Sequence, residues 1–111
     1  MGYDLHIFRG EEWSERDDIP TQEWLAAVEG ARNLTLTGFV EATTPSGETL
    51  RYDDPTLAEW SGHPSGMVRL FDFRRGQVIV KDPDPPTIVR LVQLAAVLGA
   101  RVQGDDGEFY G

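Results

Sequence analysis

The sequence predicts an α+β domain, an antiparallel β-sheet with two helices packed on one of its faces. Three observations carry this expectation. Short runs with period-2 alternation recur along the chain between Gly, Pro and Asp turn signals. Only two stretches, near residues 20–29 and 84–99, place apolar residues at helical spacing. The 111 residues are 40% hydrophobic, enough for one core but not two, so residues 1–111 read as a single α+β domain.

The first element is a strand over residues 3–9, with Tyr3, Leu5 and Ile7 on one face and Asp4, His6 and Phe8 on the other. Residues 10–18 crowd five acids around Trp13 and read as a loop, because that density of like charge repels itself. Pro20 then suits the first turn of a helix, where its missing N–H is not needed, and Trp24, Leu25 and Val28 form a stripe that Gly30 stops. Leu34–Thr37 is a strand or an extended connection. Gly38–Thr43 is the better strand, and Pro45–Glu48 turns the chain back through Thr49–Tyr52. Asp53-Asp54-Pro55 ends that return, and residues 56–61 are either a short strand or a helical turn. A loop over Gly62–Gly66 carries His63. Met67–Phe73 and Gln77–Lys81, joined at Arg74-Arg75-Gly76, make the clearest hairpin.

Asp84 before Pro85 reads as the N-cap of the second helix. Its face is Ile88, Leu91, Val92, Ala95 and Leu98. Val89, Leu94 and Val97 widen that face, so the helix is expected to be covered on much of its circumference until Gly99 stops it. A short strand at Arg101–Gln103, a turn at Gly104–Gly107 and a return over Glu108–Tyr110 complete the chain.

Charge excludes several functions. Asp and Glu total 19 against 10 Lys and Arg, a net charge of −9. Residues 1–55 alone hold 12 acids and 4 bases, a net −8. Nucleic acid demands a basic surface, so it is an unfit partner, and an anionic membrane surface is disfavoured for the same reason. A basic protein partner fits, because an acidic face accelerates its capture. No window approaches the roughly 20 apolar residues of a membrane span. Asp4 and His6 stand where an export signal would need a basic flank and an apolar run, so a cytoplasmic location is expected. With no cysteine and only His6 and His63, the chain offers no disulfide, thiolate site or three-histidine metal site, and no cofactor is expected.

Three stretches carry a resemblance. They are Tyr3-Asp4-Leu5-His6-Ile7 with a following loop around Trp13, Ile19 through Glu23-Trp24-Leu25-Ala26, and Lys81-Asp82-Pro83-Asp84 with Leu98-Gly99-Ala100-Arg101-Val102-Gln103-Gly104-Asp105-Asp106-Gly107-Glu108. On these residues the chain resembles a family of small, largely uncharacterised acidic bacterial proteins. The resemblance brings no catalytic motif with it. In size and charge such proteins are similar in character to immunity proteins, which bind and silence a cognate toxin.

Chemistry-bearing residues are few. Asp4, His6 and His63 are the natural acid–base candidates, and they imply a small-molecule enzyme or ligand-binding protein only if they converge in a pocket. Asp105-Asp106-Gly107-Glu108 has the composition of a calcium loop but lacks its ligand order, and a tight Asp-Gly turn explains it better. No phosphate loop or nucleophile elbow appears. Trp24 reads as core. Trp13 and Trp60 lie in acid-rich or irregular segments and serve either as interface anchors or as plugs. The leading expectation is a non-enzymatic binding protein. It presents Glu11, Glu12, Asp17, Asp18, Asp53 and Asp54, anchored by Trp13 and Trp60, to a basic partner such as a toxin. A module that homodimerises through a sheet edge is the third expectation.

Overall fold

A computed structural model describes residues 3–111. The opening alternation forms β1 (Asp4–Phe8), and α1 (Thr21–Gly30) follows the acidic segment. Then come β2 (Leu34–Thr43), β3 (Thr49–Trp60), β4 (Arg69–Arg74), β5 (Gln77–Lys81), α2 (Pro85–Leu98), β6 (Arg101–Gly104) and β7 (Phe109–Tyr110). The seven strands make one sheet in the order β2-β3-β4-β5-β1-β6-β7, with every neighbouring pair antiparallel. The architecture is α+β.

Both helices pack on the face to which Leu5 and Ile7 point. There Trp24 and Val28 of α1 and Leu91, Leu94, Ala95 and Leu98 of α2 meet Phe71, Val78, Val80 and Val102 of the sheet. Trp24 is fully buried, stacks on Phe73 at 5.5 Å, and donates its indole N–H to the Thr56 carbonyl at 2.8 Å. That bond satisfies the one polar atom that burying a tryptophan exposes to loss. The Arg9 guanidinium donates to both Glu23 carboxylate oxygens and to the Leu98 carbonyl, tying β1 to α1 and to the end of α2.

Local chemistry places α2 as expected. Asp84 is its N-cap, accepting from the Thr87 backbone N–H, and Gly99 ends it in the left-handed region at φ 62°. At the β4–β5 turn, Arg75 and Gly76 both take positive φ, 52° and 74°, the type I′ geometry that matches strand twist.

Two expectations are corrected and one open alternative is resolved. Asp53-Asp54-Pro55 does not end a strand, since β3 runs unbroken from Thr49 to Trp60. The register explains how proline is accommodated: Gly38 pairs with Asp54 and Leu36 with Ala58, so β3 spends extra residues where Pro55 has no N–H to give. Of the two readings open for residues 56–61, a strand or a helical turn, the strand holds, as the last part of β3. Finally, α2 is covered over less of its circumference than expected: of the three residues that widen its apolar face Leu94 is buried, but Val89 and Val97 are 57% and 72% exposed.

Beyond the bulge, β2 and β3 pair only with each other and form an arm; the molecule measures 44 × 30 × 29 Å. Its two faces differ. Ala42 pairs with Leu50 on one, whereas Glu41 pairs with Arg51 on the other. On that second face the Arg51 guanidinium covers the Phe39 ring at 4.0 Å and pairs with Asp53 at 2.8 Å.

Candidate functional site

The sheet face turned away from the helices is where the acidic segment lies. His6 alternates with Leu5 and Ile7, so it points to this side. Trp13 lies flat on the His6 ring, centroids 4.1 Å apart and planes within 1°. His6 is buried, with Nε2 donating to Asp105 Oδ1 at 2.9 Å and Nδ1 at 3.0 Å from Gln77 Oε1. Both ring nitrogens and one ring face are therefore occupied within the protein.

The segment is pinned at several points. Trp13 opens a single 3-10 turn over Trp13–Glu15 and donates its backbone N–H to Gln103 Oε1 at 3.0 Å. Asp17 donates to the Arg9 carbonyl and Ile19 to the Gly76 carbonyl, each at 2.9 Å. Ile19 is buried. Arg16 donates to the Trp13 and Arg75 carbonyls, and Arg101 to the Glu11 carbonyl, so these cations hold backbone. Glu11, Glu12, Glu15, Asp17 and Asp18 are all exposed, and among the described residues none of them forms an ion pair. The result is a held strip of solvent-facing carboxylates around a half-buried tryptophan.

The support for this strip comes from both ends of the chain. Asp105 accepts from His6 and from the Asp4 backbone N–H, at 2.9 and 3.0 Å. The His6 bond, then the Asp4 N–H, holds the Asp105 carboxyl below its ordinary range. Tyr3 donates to Glu108, which pushes the phenol well above its usual value. Gly104 passes so close that a Cβ there would overlap the Glu108 carboxylate and the Tyr3 hydroxyl. Gly107 turns the chain at φ 89°, and its carbonyl accepts from Gln103. The Gly104–Glu108 pattern is thus a turn, and it mates with the Tyr3–His6 pattern.

The other predicted residues lie elsewhere. Trp60 is buried in the core beside Phe71 and His63, because it pairs with Leu34 on the helix side, and it is not an exposed anchor. Asp53 is paired with Arg51, and Asp54 accepts from the Thr56 N–H and hydroxyl at 3.0 and 2.7 Å. These two carboxylates serve the arm, where the sequence reading had added them to the acidic face. Glu15, by contrast, belongs to the strip as part of the acid run over residues 11–18.

His63 does not meet His6. It sits at the start of α2, donating from Nε2 to Asp84 Oδ2 at 2.6 Å while Nδ1 accepts from the Ser65 N–H and hydroxyl at 3.0 and 2.8 Å. The Ser65 oxygen also accepts from the Met67 N–H, so the hydroxyl is engaged in both senses. The Thr87 hydroxyl first, then His63, draws the Asp84 carboxyl down to about 2. These bonds fasten loop 62–66 to a helix. The two imidazoles share no partner and stand on opposite faces of the sheet, so Asp4, His6 and His63 do not converge.

On the same face as the strip, a groove of about 410 Å³ is lined by Val68, Leu70, Asp72 and Ile79 and rimmed by Arg69 and Lys81. None of Asp4, His6 or His63 lines it. Burial raises the Asp72 carboxyl against the pull of Arg74, whose Nη2 lies 2.8 Å away. The rim of this groove is cationic, whereas the strip over residues 11–18 is anionic. Among the described residues no cluster of His, Asp and Glu is arranged to hold a metal ion, and no helix is long and apolar enough to cross a membrane. No family model, no curated protein and no solved structure matches the chain.

Proposed function

We propose that the protein is a non-catalytic, cytoplasmic binding domain that captures a basic protein through the strip Glu11, Glu12, Glu15, Asp17 and Asp18, with Trp13 at its centre, in the manner of an immunity protein neutralising a toxin. The observation that carries this reading is the strip itself. Five carboxylates face solvent outside any described ion pair, yet the backbone beneath them is held by β1, β6 and the β4–β5 turn. A held strip loses little conformational entropy on binding. Its unneutralised field steers a cationic partner to it. The aromatic at its centre supplies the kind of group in which binding energy concentrates.

The test is co-expression with the protein encoded by the neighbouring gene, reading growth rescue and the association rate of the purified pair. The combined variant Glu11→Lys, Glu12→Lys, Asp17→Lys and Asp18→Lys is expected to slow association roughly ten- to a thousandfold at low salt and to abolish rescue. Salt added to the wild-type pair weakens it. A neighbouring product that is harmless and unbound, or a variant that protects like the wild type, defeats the reading.

A further inference from the structure

We propose that the chain forms a two-fold symmetric dimer in which β2 pairs antiparallel with β2 of a second copy, in a register centred on Phe39.

The first ground is the state of the two sheet edges. Edge strands are ordinarily blunted by brevity, lysine, proline or a bulge of their own. The β7 edge is two residues long. The β2 edge has ten residues, contains neither lysine nor proline, and carries one charge, Glu41. Its bulge places the extra residues in the inner strand, β3. Such an edge is a template for another strand.

The second ground is the match of β2 to itself. Directly opposed residues of an antiparallel pair share a face. A register centred on Phe39 therefore keeps both helical layers on one side of the joined sheet, opposing Leu36 to Ala42, Thr37 to Glu41 and Thr35 to Thr43. It brings two Phe39 rings together as a cross-strand aromatic pair and keeps the two Glu41 carboxylates apart. Gly38, bent at φ 79°, is a poorer centre.

The third ground is apolar surface that one copy leaves uncovered. On the arm, Leu50 is 57% and Tyr52 is 63% exposed. Beside α1 runs a groove of about 360 Å³, lined by Leu25, Val28, Leu34 and Leu36. Setting Ala42 of one copy beside Leu36 of the other draws each arm toward the partner's groove. A second copy thus completes the edge and brings the exposed side chains of the arm toward the partner's groove.

Net charge does not forbid it. The acidic strip runs from β1 to the β4–β5 turn, and β4 is two strands from β2 in the sheet order. Across the dimer that leaves five strand spacings between the nearest ends of the two strips, about 24 Å at a spacing near 4.8 Å, well beyond the screening length of roughly 8 Å at physiological salt.

The test is sedimentation equilibrium of the full chain over a wide concentration range. A dimer is expected whose dissociation constant falls as salt rises, because two anionic copies repel; capture of a basic partner has the opposite salt dependence, so the two proposals fail independently. Phe39→Lys opposes two ammonium groups at the axis, and Thr37→Glu faces Glu41 of the second copy. Each is expected to weaken the dimer at least tenfold, while Thr37→Lys, which faces the same carboxylate, does not weaken it. In this cysteine-free chain, Phe39→Cys is expected to form an intermolecular disulfide on mild oxidation and Thr43→Cys is not. A monomer at every concentration, a dimer indifferent to Thr37→Glu and Phe39→Lys, or cross-linking at residue 43 in place of 39 overturns the proposal.

Discussion

At the scale of single residues, the protein is held by small contacts between distant parts of the chain. Gly76 shows how tight they are. It takes φ 74°, and a Cβ there would overlap the Cα and Cβ of Asp18. Gly76→Ala therefore combines backbone strain with a clash against main chain, and we expect a loss of about 2 kcal/mol or more, measured by urea unfolding. His6 carries the acidic strip by stacking on Trp13. His6→Ala is expected to release Trp13 while the helical core survives. A red-shifted tryptophan emission and new protease cleavage within residues 10–18, at nearly unchanged helical circular dichroism, would confirm that; unchanged emission counts against it. The sequence showed that His6 and Asp105 lay in conspicuous patterns. That the two patterns touch was not legible, because residues 99 positions apart meet only through the strand order.

At the scale of elements, α2 was the most legible because its signals are local. Asp84, Pro85 and Gly99 act within a few residues of themselves, and the cap forms where they predict it. The same cap makes a pH prediction. Asp84 titrates near 2 in the folded protein, below its ordinary value near 4. A depressed carboxyl contributes stability that is complete above the unfolded value and is lost as pH falls toward the folded one. The melting temperature should therefore fall between about pH 5 and 2, and Asp84→Asn should flatten that fall and lower the plateau at neutral pH, as thermal melts across this range can show. β3 was less legible, since its alternation breaks at Pro55 and pairing to β2 before and after that residue, at Asp54 and Ala58, carries the strand through. The tryptophans divide in the same way. Trp60 and Trp13 have equally irregular neighbours in the sequence, and the face on which each strand partner lies decides that one is core and the other half-exposed.

At the scale of the whole molecule, one helical layer and one sheet share a single packed interface, and Trp24 stands in its middle, in contact with Phe73 and hydrogen-bonded to β3. Trp24→Ala removes this and leaves a cavity; a loss of about 3–5 kcal/mol is expected, a large share of a small domain's total, so the variant should unfold near physiological temperature in a calorimeter. The class of fold followed from hydrophobic period and turn chemistry, whereas the polarity of the two sheet faces depended on register. Strand order has one more consequence. β1 is sandwiched between β5 and β6, so during synthesis Asp4–Phe8 has no strand to zip onto until Gln77–Lys81 has been made. At synthesis rates of roughly 5–20 residues per second that wait lasts about four seconds or longer. A truncated nascent chain ending before residue 77 should carry Asp4–Phe8 unhoused, open to chaperones, and acquire native order only when β5 and β6 arrive.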